Sequence, residues 1–286
     1  MARSLRLLAV LFICSGSLGP AAAEASIGYS TAGGSYSQSF DTLITTGTGQ
    51  AWANDSTLAG WSLFNSTGAA ISTYNAGDGT SNTGSFYSFG TGTASDRALG
   101  GAGSGGTYFG SPASGAIAGW IAVAIQNTTG SILTDFALSY SGEQWRNGGN
   151  TNAQTMVLEY GFGSSFASVS NWTAPGGVFN FISPVVGSTQ AAVGGNVAGL
   201  VAGRGGVISS LSWANSDTLW IRWVERNDSG NDHGLAIDNF SFSARAAVTG
   251  GVVPEASSLA THLVLIASVF LLFGAQKLLR RSVAQI

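Results

Sequence analysis

Short runs of alternating apolar and polar residues, separated by clusters of Gly, Ser, Asn and Asp, recur from residue 24 to about residue 245. Alternation with a period of two is typical of strands with one buried face, and such clusters are typical of turns. The clearest runs are residues 117–125, 134–140, 156–160 and 219–223. No long helical pattern competes with them, so the chain predicts an all-β fold, an antiparallel β-sandwich.

Composition narrows the class of protein. The chain has 42 Gly and only 9% charged residues, yet 44% hydrophobic residues and 8 Trp, which is enough apolar surface to offset chain entropy. Residues 24–250 contain 13 acidic and 6 basic residues, a net charge of −7, which argues against nucleic acid as a partner. We expect one domain, residues 24–245, and a linker, residues 246–252.

The N-terminus has the order of parts of an export signal. Two arginines precede the apolar run 7–13, and small residues ending at Ala23 follow it. This order predicts a signal peptide, residues 1–23, although a buried N-terminal helix is an alternative. Cys14, the single cysteine, raises a lipoprotein alternative, but Ile13 occupies a position that normally holds a small residue. After cleavage at Ala23 the exported domain would have no thiol for disulfides or metal binding.

The C-terminus predicts a membrane anchor. Residues 259–276 form an apolar stretch at the short limit for spanning a bilayer of about 30 Å. Lys277, Arg280 and Arg281 follow it directly, and the positive-inside rule places that basic end in the cytoplasm. The main domain is therefore expected outside the cytoplasm, in agreement with the signal peptide.

The motif Val253, Pro254, Glu255, Ala256 stands just before this apolar stretch. Together, residues 253–286 resemble the PEP-CTERM sorting tail, in which a Pro-Glu-Pro motif (here residues 253–258) precedes an apolar helix and a basic end (here 277–281). The resemblance implies an exosortase-like processing enzyme as partner and a Gram-negative host that makes exopolysaccharide. Ala256 stands where the family has a second proline, so the chain departs from the family within the sorting motif. The alternative is a plain single-pass anchor.

The segment 234–242 contains the one internal resemblance. Its Gly-Leu-Ala-Ile-Asp-Asn-Phe-Ser-Phe run is similar to the last strand of MAM-like and other jelly-roll domains, including carbohydrate-binding modules. The resemblance implies a first strand beside the last, for which we select residues 39–43, and a structural calcium held by acids. Strict alternation places Asp238 on the same side as Phe240 and Phe242.

Calcium prefers hard oxygen ligands, which four aspartates near these two strands would supply. The predicted ligands are Asp41, Asp228, Asp232 and Asp238. The alternatives are a salt bridge from Asp238 to Arg222 or Arg146, and a solvated turn at residues 228 and 232.

Glu143, Trp145 and Arg146 group a carboxylate, an indole and a guanidinium after a predicted strand. Aromatic faces with polar groups are what a sugar site needs, so the three are possible glycan contacts. Other candidate stacking platforms are Trp52, Trp61 and Trp172. In the alternative, Trp145 packs under a loop and Glu143 pairs with Arg146.

Evidence for catalysis is thin. His233 is the only histidine outside the tail, and no Gly-x-Ser-x-Gly motif accompanies it. Glu143 and Glu159 would form a glycosidase pair only at a carboxyl separation of about 5 to 9 Å. We therefore expect a non-catalytic structural or exopolysaccharide-binding protein of the cell envelope or matrix. The alternatives are an exported glycan-active enzyme and a protein-binding adhesin.

Overall fold

The computed structural model describes residues 26–247, and they form an all-β fold of fifteen strands and three single-turn 3-10 segments. In chain order the strands are β1 (Ile27–Tyr29), β2 (Tyr36–Gln38), β3 (Gln50–Ala51), β4 (Trp61–Asn65), β5 (Thr73–Gly77), β6 (Ser85–Phe89), β7 (Ala98–Ala102), β8 (Ile117–Asn127), β9 (Leu133–Asn147), β10 (Thr155–Phe162), β11 (Phe181–Ile182), β12 (Ala191–Ala192), β13 (Leu200–Ile208), β14 (Thr218–Arg226) and β15 (Gly234–Ala246). The 3-10 turns are Thr107–Phe109, Phe166–Ser168 and Gly177–Phe179.

The predicted signal peptide and sorting tail lie outside residues 26–247. Inside that range, no helix has the length and apolar character needed to cross a bilayer. Strand β15 continues to Ala246, the first residue of the predicted linker.

The strands form two sheets. The six-stranded sheet has the order β1-β8-β14-β10-β11, with β4 also paired to β8. The nine-stranded sheet has the order β12-β9-β15-β7-β6-β5-β3, with β13 paired to β9 and β2 to β15. Most pairs are antiparallel, as the alternation predicts, but β1 with β8 and β5 with β6 are parallel.

The two sheets pack against each other through an aromatic core, an arrangement compatible with a β-sandwich. Trp61 and Trp223 of the six-stranded sheet stack at 5.8 Å between ring centroids. Phe240 of the nine-stranded sheet meets both edge-on, at 5.4 Å and 5.6 Å. Because such offset and edge-on contacts add to the burial of large apolar surface, this cluster stabilises the packing of one sheet on the other.

All four clear runs of alternation are strands, in β8, β9, β10 and β14. Their predicted apolar faces lie in the core between the sheets, except at Ile117, where a register shift in β8 places Ala118 in the core instead. Trp120 and Trp220 lie on the opposite, outer face of the six-stranded sheet. A second outer cluster, on the nine-stranded sheet, contains Tyr87, Phe89 and Trp145.

Two expectations about the first and last strands are wrong. Residues 39–43 form a turn in which Phe40 has φ 59°, and it is the preceding strand β2 that pairs with β15. In β15 a register shift lies between Asp238 and Ser241, and Asn239 there has φ 51°. The extra residue of this bulge reverses the alternation, so Phe240 and Phe242 face the core while Asp238 faces outward.

Candidate functional site

A polar pocket of about 260 Å³ opens at one end of the two sheets. It lies where the segments after β5, β7, β9 and β14 converge. Its lining residues are Asn82, Ala102, Gly103, Ser104, Gly105, Arg146, Gly148, Gln190, Asn227, Gly230, Asn231 and Asp232. The side chains are amides, one hydroxyl, one guanidinium and one carboxyl, so the pocket offers hydrogen bonds rather than apolar surface.

A network of amide side chains fixes the pocket wall. Asn150 donates through Nδ2 to the carbonyls of Ser229 and Asn231, at 2.9 and 3.1 Å. Gln154 donates to the Asn231 carbonyl at 2.9 Å and accepts the main-chain N–H of His233 at 2.6 Å. These bonds tie the segment after β9 to the segment after β14. The wall is thereby held in one shape before any ligand arrives.

Arg146, near the end of β9, lies on the pocket wall with only 6% of its surface exposed. Its Nη1 donates to the carbonyls of Gly79 and Thr80, at 3.1 and 3.0 Å. Its Nη2 donates to Oε1 of Gln190 at 2.7 Å. The guanidinium therefore joins the segment after β5 to Gln190 on the opposite rim.

Acidic groups lie beside and behind the pocket. Asp232 Oδ1 accepts the main-chain N–H of Asp228 at 2.6 Å, the arrangement of a polar turn. Burial is the main cause that raises the pKa of Asp232 to about 7. The charge of Asp228 raises this pKa further, whereas the hydrogen bond from the Asp228 N–H lowers it. Glu225 lies behind Gly103, and burial together with Asp232 and Asp228 raises its pKa well above the ordinary value.

Of the predicted glycan contacts, the structure brings only Arg146 to the pocket. Glu143 and Trp145 are buried on the outer face of the nine-stranded sheet, where the indole Nε1 donates to Glu143 Oε2 at 2.9 Å. Trp145 stacks on Phe89 at 6.1 Å, as the packing alternative predicts, but Glu143 pairs with the indole rather than with Arg146. Of the platforms, Trp52 and Trp61 are core residues and Trp172 is partly exposed.

The four predicted calcium ligands do not fit one calcium ion. Asp228 and Asp232 share the pocket-side turn, whereas Asp238 and Asp41 interact with each other at a different place. Across residues 26–247, no three His, Cys, Asp or Glu side chains form a group suited to a metal ion. Because calcium takes 6 to 8 oxygen ligands, a site formed by all four aspartates together is absent from this part of the chain.

The proposed salt bridges of Asp238 are also absent from the described residues, since Arg222 pairs with Glu159 and Arg146 with neutral oxygens. Asp238 instead accepts the side-chain amide of Asn239 on Oδ2 at 2.7 Å. Its Oδ1 is buried without a hydrogen-bond partner within residues 26–247. The neutral, protonated form of the group is favoured as a result.

Glu143 and Glu159 are not a catalytic pair. Glu159 lies on the outer face of the six-stranded sheet, where Oε2 accepts Nε and Nη2 of Arg222 at 2.7 and 2.6 Å. Glu143 lies on the outer face of the other sheet, so the whole core separates the two carboxyls. Two packed sheets are already about 10 Å apart. Carboxyls on their outer faces are therefore further apart than the paired carboxyls of glycosidases.

Sequence reasoning missed Glu225, Gln190 and Asn82. Glu225 had a visible signal, because it continues the alternation of Leu219, Ile221 and Trp223 and so belongs to the buried side of β14. Gln190 and Asn82 had none, since they lie in irregular segments whose position depends on Arg146 and on the long-range packing. Residues 229–231 form a bend between Asp228 and Asp232, as the alternative predicts in part, but both aspartates are partly buried rather than solvated.

The fold and site define an all-β, two-sheet domain with a polar pocket between its loops. Comparison with protein-family models and with curated proteins gives no match.

Proposed function

We propose that this chain is an exported protein of the cell envelope or extracellular matrix that binds exopolysaccharide and carries out no catalysis. The observation that supports binding is the polar pocket around Arg146, Gln190 and Asp232, because convergent amides, one guanidinium and one carboxyl match the hydroxyls of a sugar.

The proposal includes the finer features expected from the sequence. The two-sheet domain is a jelly-roll-like sandwich, the tail from residue 253 is recognised by an exosortase-like enzyme, and the domain lies outside the cytoplasm. The motif from Val253 to Ala256 and the basic end at Lys277, Arg280 and Arg281 support this sorting. The precursor is anchored in the inner membrane until processing releases it.

Binding is tested with the full chain, purified in mild detergent, on an array of bacterial and plant oligosaccharides. We expect saturable binding to at least one class of glycan, with no new reducing ends after prolonged incubation. The single variants Asn82→Ala and Asn231→Ala remove exposed lining side chains and should weaken binding several-fold without changing the unfolding temperature. No binding to any glycan, or release of reducing ends, would overturn the proposal.

Sorting is tested by the intact mass of the protein recovered from its native host. A mature product that begins after residue 23 and ends within residues 253–258 is the expected result. A product that retains residues 259–276 would show a plain anchor instead.

A further inference from the structure

Within residues 26–247, Arg146 is a cation without a counter-ion. Of the pocket-lining residues in this range it is the only basic one, and 94% of its surface is buried. The single ion pair found within residues 26–247 joins Arg222 and Glu159, on the outer face of the other sheet. A buried charge without an opposite charge is unfavourable unless its environment or a ligand compensates it.

The hydrogen bonds of Arg146 leave part of its guanidinium free. A guanidinium has five N–H donors, and Arg146 uses three, all toward the neutral oxygens of Gly79, Thr80 and Gln190. Inside the described range, Nε–H and the second N–H of Nη2 have no protein acceptor. Nε–H and one of the two N–H groups of Nη2 form the edge of the planar group that pairs with both oxygens of a carboxylate.

We propose that the pocket binds an acidic sugar residue, whose carboxylate pairs with the free edge of Arg146 while its hydroxyls bond to the surrounding amides. The inference rests on the proposed function and narrows its ligand from exopolysaccharide in general to polysaccharide that contains a uronic acid. A volume of about 260 Å³ suits a single ring rather than a longer segment of the chain.

Asp232 determines how the pocket responds to pH. The groups that face it are Asp228 on the same turn, Glu225 from β14, and Arg146 across the pocket, with Arg226 beside Asp228. Below about pH 7 Asp232 is protonated and neutral, so the positive charge of Arg146 dominates. Above that pH the ionised Asp232 repels a sugar carboxylate. Acidic sugar therefore binds more tightly at pH 5.5 than at pH 8.5.

The experiment measures binding of trigalacturonate and of its fully methyl-esterified form to the full chain by calorimetry. The two probes share the same sugar chain and differ by one methyl group on each carboxyl, so only the first carries carboxylates. We expect at least a tenfold preference for the acidic form at pH 5.5, falling several-fold at pH 8.5 and at high salt.

Three substitutions test whether Arg146 causes the preference for the acidic sugar. Arg146→Gln removes the charge and should reduce the preference to twofold or less. Arg146→Lys keeps the charge but lacks the planar edge, so it should keep part of the preference for the acidic sugar. This variant tests the role of Arg146 if Arg146→Gln does not fold. Arg245→Gln removes one exposed positive charge near the other end of β15, and should leave the preference unchanged.

Each result has a separate meaning. If neither sugar, nor any glycan on the array, binds, the proposed function fails and the inference fails with it. If both sugars bind equally to the unmodified protein, binding stands and the acidic preference is wrong. A preference that survives unchanged in folded Arg146→Gln would overturn the role of Arg146.

Discussion

Glu143 on β9 and Asp238 on β15 are diagonal neighbours on the outer face of the nine-stranded sheet, both buried, at 2% and 1% exposure. Burial, followed by the charge of Asp238, raises the pKa of Glu143 to about 7. Burial, with the further effect of Asp96 and Asp41, raises the pKa of Asp238 to about 7 as well. The charge of the neighbouring Asp238 therefore favours the protonated form of Glu143, and burial favours the protonated form of both carboxyls.

This pair makes the stability of the fold depend on pH. A raised pKa means that the folded state binds more protons than the unfolded state, so the stabilisation is present below the unfolded pKa of about 4 and is lost as the pH rises toward 7. We expect the pair to account for a loss of about 1 to 3 kcal/mol in the free energy of unfolding between pH 4.5 and pH 8.

Urea unfolding of the unmodified protein and of the double variant Glu143→Gln, Asp238→Asn measures this loss. The amides keep the shape and cannot ionise, so the variant should gain stability relative to the unmodified protein as the pH rises. Asp232, Glu225 and Asp228 have raised pKa values too, so the pH dependence should become weaker without vanishing. His233, whose pKa is lowered by burial, acts in the opposite direction and cancels in the comparison. Parallel curves for the two proteins would contradict the assignment.

Arg222 gives a second prediction. Its guanidinium carbon lies 3.7 Å from the ring centroid of Trp172 while the group pairs with Glu159. Lysine at position 222 would keep a positive charge but lose the planar stack, so Arg222→Lys should lower the free energy of unfolding by about 1 to 2 kcal/mol.

A double-mutant cycle of Arg222→Lys with Trp172→Leu isolates the stacking contribution, and we expect a coupling of about 0.5 to 1.5 kcal/mol. Arg245→Lys, at an exposed position, is the matched control and should change stability by less than about 0.5 kcal/mol. Additive effects of the two substitutions would show that the stack contributes nothing beyond the separate side chains.

The sequence predicts the strands well and the position of the acids poorly, for physical reasons. Alternation reports which face of a strand is buried, and so residues 117–125 and 219–223 are found correctly. It does not report a bulge, because the apolar and polar residues follow one another in the same order with or without it. The extra residue at Asn239 nevertheless places Asp238 on the outer face, opposite to Phe240 and Phe242. The pocket was not predictable for a related reason, since Arg146, Gln190 and Asp232 come from three distant segments.

Calcium gives a third prediction. Because the predicted aspartates form two separate pairs, each offers too few oxygens for a strong site. Titration of the full chain with calcium up to about 1 mM should give no saturable heat, and the unfolding temperature should be the same with calcium and with a chelator. Magnesium is the matched control for a general effect of divalent charge. A saturable shift specific to calcium would contradict the separation of the aspartates into two pairs.

Asn239 provides the most direct test of the bulge. It is exposed and has φ 51°, a left-handed conformation that costs about 1 kcal/mol or more for a residue with a Cβ atom. Both Asn239→Gly and Asn239→Ala lose the side-chain bond to Asp238, so the difference between them reports the backbone alone. The glycine variant should be more stable than the alanine variant by about 1 kcal/mol.

Ser241 is the control position, because it is exposed, lies two residues further along β15 and has no positive φ. At Ser241 the order should reverse, with alanine more stable than glycine by about 0.5 to 1 kcal/mol. Urea midpoints of the four variants decide the matter, and the same order at both positions would mean that β15 has no bulge at Asn239 in solution.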